Sequence, residues 1–591
     1  MHGVLHPLFV HLHIALLFMA FLTTYYWFFK GVATSIFENR IYNLARFNTA
    51  AGLLFVLLSM AAGIREAGRL CRVLQFPVGQ VAVREGQPRD TDRGRVQRLP
   101  VAGPEAAAVS PGEHPSHDLV PRHAAGWVPA RRRGHDARHH ARVLRSPAGG
   151  LERMSATTTR PARVVVLGGG FGGLYATLTL LKELADSELA EVTLVDRRNY
   201  FTFTPLLPEV AAGTLGASHV CYPFRSLSKK GRLHFIQGEV REFDLDEHVV
   251  WIENLAIPYD YLVVALGSTP FFFGNQQLES HGLTLTSVAD ALAIRNHVIR
   301  LFERAVVEPD PGLRRQLLTV VVVGAGPSGV EIAAELHHLI RSTLLAYYPV
   351  DASEVRILLV DGGDRILPHF PRELTNAGRT QLVERGIEMK LMTRVTGAGD
   401  QHVELNAGEE IIPTRTLIWT GGTVPSPVLA RLPAKKTGRG TVLVDECLRL
   451  PGHPEVYVIG DGSHVMDRRH QRPYPPVAPV AIRQGVRAAA NIVNSLEGRG
   501  GESFEFDFTG NIVGLGGGMA LVNFLGIKFH GRLGWWVYRM AYLQRLVGAK
   551  NKALLVLTLG LNALFDRDIS CETLPDARSI PLGGSYGDAG P

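Results

Sequence analysis

Gly168, Gly170 and Gly173 followed by Asp196, and again Gly324, Gly326 and Gly329 followed by Asp361, are the residues whose types and spacing point most directly to chemistry. In this spacing each glycine has a separate task. The first makes a tight turn, the second lets backbone approach a pyrophosphate, and the third lets a helix pack closely on a strand. Phosphates then rest on N–H groups at a helix N-terminus, where the dipole favours negative charge. The acid can accept hydrogen bonds from a ribose. Asp361 also repels a 2′-phosphate, which favours NADH over NADPH, while Arg365 nearby works the other way.

The elements needed to position these residues are legible on either side of them. The apolar run Val164 to Leu167 enters the first turn, a helical pattern leaves it, and a second apolar run ends on Asp196. Leu318 to Val323, the stretch VEIAAELHHLIRSTLL and the run VRILLVD ending on Asp361 repeat the pattern. Two dinucleotide units in one chain imply hydride transfer between a nicotinamide and a flavin, hence NADH and FAD. Tyr259 to Pro270, containing Gly267, and Thr416 to Pro425, containing Gly421, read as strands on which the chain crosses between the units. VYVIGDGS places Gly460 and Asp461 after a buried strand, positioned for a flavin's ribityl chain.

The motifs GGGFGGLYA, FTFTPLLPEVAAGTL, VVVVGAGPSGVEIAAEL and VIGDGS, with a basic apolar tail, make the chain from Arg163 to about Asp568 resemble the flavoproteins with two dinucleotide-binding domains, and most closely the type II NADH:quinone oxidoreductases. The resemblance implies an α/β fold with two Rossmann-like domains, for FAD and NADH, and C-terminal amphipathic membrane-binding helices. It implies that Pro205 and Pro208 hold a rigid extended segment beside the isoalloxazine, and that Glu331 lies near the nicotinamide. Glu331 also reads as a first-turn acid favoured by the helix dipole. In YPPVAPVAIRQG, a helix starting near Ala478 directs its dipole toward the flavin. Where the family carries a quinone-facing glutamine pair, this chain has Pro479 and Arg483, with Gln484 displaced by one. Arg483 reads either as a group stabilising reduced flavin or a quinol anion, or as an ordinary surface arginine. The implied activity is FAD-dependent NADH oxidation with two-electron reduction of a membrane quinone, without proton pumping. The alternatives are another pyridine-nucleotide flavoprotein, linked to oxygen, sulfide or a disulfide, and a membrane-tethered NADH-binding redox sensor.

A length of 591 residues implies several folding units. The net charge of +7 is concentrated locally, which argues against nucleic-acid binding. The four cysteines, Cys71, Cys221, Cys447 and Cys571, form no CxxC pair, leaving no local dithiol. Residues 1–68 read as a membrane hairpin with spans at Phe9–Phe29 and Phe47–Gly63. Its His6, His11 and His13 read as haem or metal ligands or as interface histidines; the enzyme reading itself requires no metal. Residues 69–153 read as a disordered basic linker or as out-of-frame translation. The remaining divisions are 154–310 and 439–507 for FAD, 311–438 for NADH, 508–574 for a membrane-binding region and 575–591 for a disordered tail. Phe508 to Phe565 has no acidic residue, and its Lys528, Arg532, Arg539, Arg545, Lys550 and Lys552 alternate with Trp535, Trp536, Tyr538 and Tyr542. This composition reads as a segment lying on an anionic lipid surface, or as a packed helix pair with a basic rim. On the first reading, deleting it from about Gly510 leaves a soluble protein that retains FAD. The expected location is the cytoplasmic face of the inner membrane, and a homodimer is allowed.

Overall fold

The computed structural model describes residues 160–228, 232–562 and 564–571. The N-terminal spans, their histidines, the 69–153 stretch and the 575–591 tail lie outside the described residues. No helix among the described residues is long and apolar enough to cross a membrane.

Two sheets of similar construction carry the fold. The first runs in the order Arg449–Leu450, His453–Val458, Tyr261–Val264, Ala162–Leu167, Ala190–Asp196, Leu233–Gln237, all parallel except the edge strand Arg449–Leu450. Val164 to Leu167 are buried without alternation because both faces of the sheet are covered. Val164 and Val166 point to the side of helix Phe171–Glu183, packing with Leu174 and Leu180. Val165 and Leu167 meet Phe243, Val250 and Ile252 of an antiparallel layer formed by Val240–Asp244, Val249–Ile252 and Leu255–Pro258.

The second sheet, wholly parallel, runs Gly282–Thr284, Thr416–Trp419, Thr319–Val323, Arg356–Val360, Ile387–Lys390. Helix Pro327–Leu339 covers one face, and an antiparallel layer of Val395–Gly399, His402–Leu405 and Glu410–Pro413 covers the other. Gly282–Thr284 lies within 154–310 yet pairs with Thr416–Trp419, so the chain enters the second sheet well before residue 310.

Two expectations are corrected here. Thr204–Leu206 is a 3-10 turn and Leu207–Ala211 a short helix, so Pro205 and Pro208 begin helical turns instead of holding an extended segment. Proline suits those positions because its fixed φ is already helical and no helical partner for its missing N–H is needed. The C-terminal region is not helical throughout. It begins as an antiparallel sheet, Gly510–Gly514, Ala520–Phe524 and Ile527–His530, before helices Gly531–Arg545 and Ala549–Leu561.

Candidate active site

The two glycine turns match almost atom for atom. Gly168 has φ +91° and Gly324 φ +101°, in the left-handed region that favours glycine. A Cβ on Gly168 would stand 2.4 Å from the Ala265 carbonyl oxygen, and one on Gly324 2.5 Å from that of Thr420. A Cβ on Gly173 would come within 1.8 Å of the Gly168 carbonyl oxygen, and one on Gly329 within 1.7 Å of that of Gly324. Gly170 and Gly326 differ from these: a Cβ there meets nothing within 4 Å. Each precedes a helix that no side chain caps, so the opening N–H groups of Phe171–Glu183, and those of Pro327–Leu339 from Ser328 onward, have no side-chain partner. Asp196 accepts the Gly169 amide at 2.7 Å and Asp361 accepts the Ala325 amide at 2.6 Å. Both carboxylates therefore hold their glycine turns in shape.

A short ribbon joins the two turns. Ser268–Pro270 pairs antiparallel with Thr423–Pro425, Ser426 N–H donates to the Gly267 carbonyl at 2.9 Å, and Phe271 N–H to that of Gly422 at 3.0 Å. Gly267 has φ +66° with open space at its Cβ position, whereas a Cβ on Gly421 would press on the Trp419 ring at 3.0 Å. The Ser268 hydroxyl donates to Asp461 at 2.6 Å. Burial raises the Asp461 carboxyl above its usual range, and the Ser268 bond acts against that rise.

Gln484, displaced by one from the position of the family's second glutamine, turns inward from the helix start. It is buried, and its side-chain oxygen accepts the Gly460 amide at 2.6 Å, which fixes the Gly460–Gly462 turn carrying Asp461. Gly460 needs its glycine, having φ +72°. Helix Ala478–Leu496, with Ala478 at its first position, crosses Phe171–Glu183 where a Cβ on Gly485 would lie 2.2 Å from the Gly172 carbonyl oxygen. Arg483, one position before Gln484, faces solvent.

Glu331 is also placed differently from the first-turn reading. It is the fifth residue of a helix starting at Pro327, and its carboxylate accepts the Gly514 amide of the C-terminal sheet at 2.9 Å. Around it is a buried ionic cluster that sequence reasoning missed. Arg539 and Tyr538 donate to Glu209 at 2.6 Å and 3.1 Å, and the Thr214 hydroxyl lies 3.3 Å from Glu335. A cavity of about 310 Å³ next to the cluster is lined by Thr214, Glu335, His338, Arg539, Asn562 and Arg567. Burial, then the neighbouring carboxylates Glu209 and Glu335, raise the Glu331 carboxyl well above its usual range against the pull of the Gly514 amide. Glu335 is raised in the same way, by burial and then Glu209.

The family described as pyridine nucleotide-disulphide oxidoreductase matches residues 162–485. The type II NADH:quinone oxidoreductase of Staphylococcus aureus is 32% identical over 356 residues, spanning 60% of this chain and 87% of that protein. The chain belongs to the type II NADH:quinone oxidoreductase family. In fold it is similar to NDH2 from Plasmodium falciparum in complex with NADH, with a TM-score of 0.65 at 20% identity over 70% of this chain and 100% of that one. The sulfide:quinone oxidoreductase of Aquifex aeolicus shares the fold at a TM-score of 0.54 and 20% identity, over 71% of this chain and 100% of that one.

This family member has no disulfide among its described residues. Burial pushes the Cys221 thiol up to about 11 and raises that of buried Cys447, which leaves both poor nucleophiles. Nor do the described residues hold a His, Cys, Asp and Glu cluster suited to a metal ion.

Proposed function

We infer that the chain oxidises NADH and delivers two electrons to a membrane quinone by way of bound FAD, without pumping protons. The observation that carries this reading is the ribbon between Ser268–Pro270 and Thr423–Pro425, which ties the floors of two phosphate cradles into one hydrogen-bonded unit. The open Cβ positions at Gly170 and Gly326, before uncapped helix starts, fit two pyrophosphates. In this reading Gly168, Gly170, Gly173, Asp196, Gly267, Gly460, Asp461 and the start of the Ala478 helix hold FAD, with Pro205 on the helical turn nearby. Gly324, Gly326, Gly329, Asp361 and Gly421 hold NADH. When bound there, FAD supplies acceptance of a hydride and release of its two electrons. The protein positions the dinucleotides by the ribbon, and the buried Glu331 side chain, whose carboxyl burial raises above its usual range, ties the second glycine-turn helix to the C-terminal sheet through the Gly514 amide. Gln484 acts as a positioning residue behind Asp461.

Quinone as acceptor is supported by family membership and by an exposed apolar face on the C-terminal helices. Leu533, Trp536 and Met540 line the outer side of the first, and Val556, Leu557 and Leu561 stand out from the second. Exposed Arg532 and Lys550 border them, a composition suited to an anionic bilayer surface. NADH supply places this face on the cytoplasmic side of the membrane. The test is NADH oxidation by purified, flavin-loaded protein with a short-chain quinone against oxygen. Faster turnover with quinone is expected. Faster turnover with oxygen overturns the assigned acceptor, and quinone rates indifferent to both Arg483→Gln and Arg483→Glu make Arg483 an ordinary surface arginine and not a group that stabilises reduced flavin or a quinol anion.

A further inference from the structure

Two exposed apolar side chains stand in left-handed backbone at opposite ends of the second dinucleotide cradle. Phe273 has φ +55° and is 66% exposed; Met392 has φ +54° and is 72% exposed. For a bulky residue this conformation is an outlier that costs free energy, and a side chain about two-thirds exposed returns little of it through burial. Glycine would remove both penalties at either position. Leu525, in the turn between Ala520–Phe524 and Ile527–His530, combines the same features outside this cradle, so a reason for an aromatic ring at 273 and a thioether at 392 has to come from where the two residues stand.

Their surroundings give one. Phe273 follows the ribbon, and a Cβ on Gly422 would meet its ring at 3.9 Å. Gly422 belongs to the loop after Thr416–Trp419, where the Thr420 hydroxyl donates to the Val323 carbonyl at 2.6 Å at the mouth of the Gly324 turn. Phe271 lies against Phe273 with ring centroids 4.7 Å apart, and Trp419 is behind at 6.3 Å, so the exposed ring has an aromatic backing. Met392 is on the other side of the turn. Its N–H donates to the Gly363 carbonyl at 2.9 Å, and Thr393 N–H to that of Asp361 at 3.0 Å, which sets the thioether beside the loop carrying the ribose-facing acid. In a doubly wound sheet the adenosine lies over the strand ending in that acid, and the nicotinamide lies toward the strand on the opposite side of the glycine turn.

We propose that Phe273 and Met392 are positioning residues that clamp the two rings of the nicotinamide dinucleotide, Phe273 against the nicotinamide half and Met392 against the adenine. This assignment rests on the reading of the Gly324 turn as the NADH site. A planar ring has a π-face to offer Phe273 and a polarisable face to offer Met392, contacts that become available only when the dinucleotide is bound. The strain is then stored in the free protein at the two points where the ligand is gripped.

Phe273→Gly and Met392→Gly remove the side chains while easing the backbone, so both variants should fold and unfold thermally no lower than the parent. Calorimetric titration of ADP-ribose, which has the adenine but not the nicotinamide, should show affinity about tenfold weaker in Met392→Gly and unchanged in Phe273→Gly. In stopped-flow reduction of the flavin-loaded protein, Phe273→Gly should raise the NADH concentration for half-maximal rate about tenfold, and Phe273→Tyr should restore it. Parent-like ADP-ribose affinity in Met392→Gly together with parent-like NADH dependence in Phe273→Gly overturns the clamp and leaves the NADH reading standing. Failure of the parent itself to bind ADP-ribose and be reduced by NADH overturns both.

Discussion

Gly170 and Gly173 are three residues apart, and side chains placed on them should fail in different ways. Gly170→Ala has open space and an ordinary extended φ of −68°, so its unfolding free energy should change by less than about 0.5 kcal/mol while flavin occupancy of the purified protein falls. Gly173→Ala drives a methyl onto the Gly168 carbonyl oxygen and should cost about 3 kcal/mol or more, measured by denaturant unfolding. Equal losses in both would show that the first turn is only a packing device. The turn at Gly168 and the packing contact at Gly173 were readable in the sequence because both lie within a few residues of each other. The task of Gln484 was not. Its partner, the Gly460 amide, comes from an element twenty-four positions away, and only the crossing of two helices on Gly172 and Gly485 brings them together.

Among elements, helix Val288–Val307 and the second sheet are joined by a buried histidine. His297 Nε2 lies 3.0 Å from the Arg415 carbonyl oxygen and 3.1 Å from the Thr416 hydroxyl. Burial, against the Arg415 bond, lowers its pKa from 6.5 to about 4. A depressed folded value means that the unfolded chain binds the extra proton, so this stabilisation is complete above pH 6.5 and is lost as pH falls toward 4. The loss amounts to at most ~3 kcal/mol. His297→Gln, which can still donate to the carbonyl, should flatten that acid limb in urea titrations at a series of pH values; an unchanged limb would assign it to other groups. The parallel sheets were legible from their unbroken apolar runs. The segment at Pro205 misled because its two prolines fit the first turn of a helix as well as an extended chain, and proline alone does not choose between them.

At the scale of the molecule, the C-terminal region proves to be two things at once. One side of helix Gly531–Arg545 carries Leu533, Trp536 and Met540 outward, and the other buries Tyr538, Arg539 and Tyr542. Trp536→Glu with Leu533→Glu should reduce sedimentation with anionic vesicles severalfold yet leave NADH oxidation by a soluble dye intact. Loss of both activities together would mean that this face belongs to the core. Lys528 is partly engaged within the protein, since it pairs with exposed Glu373. Cutting the chain near Gly510 is no clean removal of an anchor either, because Glu331 would lose the Gly514 amide and Glu209 would lose Arg539. Arg539→Met alone, leaving Glu209 buried without its counterion, should destabilise by ~3–5 kcal/mol, and adding Glu209→Gln should recover much of it in a double-mutant cycle. Composition could not reveal this pairing, since the absence of acids within the tail looked like an appeal to lipid while the partner acid lay far upstream.

The Glu209–Arg539 bond spans 330 residues, and that separation has a consequence for synthesis. A ribosome completes the first glycine turn, the crossing ribbon and both sheets before it reaches the arginine. Until then the growing chain carries the Glu209 carboxylate without its counterion, so the layer between the short Leu207–Ala211 helix and Pro327–Leu339 cannot close dry. Maturation therefore waits for the last helices to leave the exit tunnel. The same helices present the exposed apolar face of Leu533, Trp536 and Met540, so that face and the closed interior are completed together, and a product terminated before them has neither.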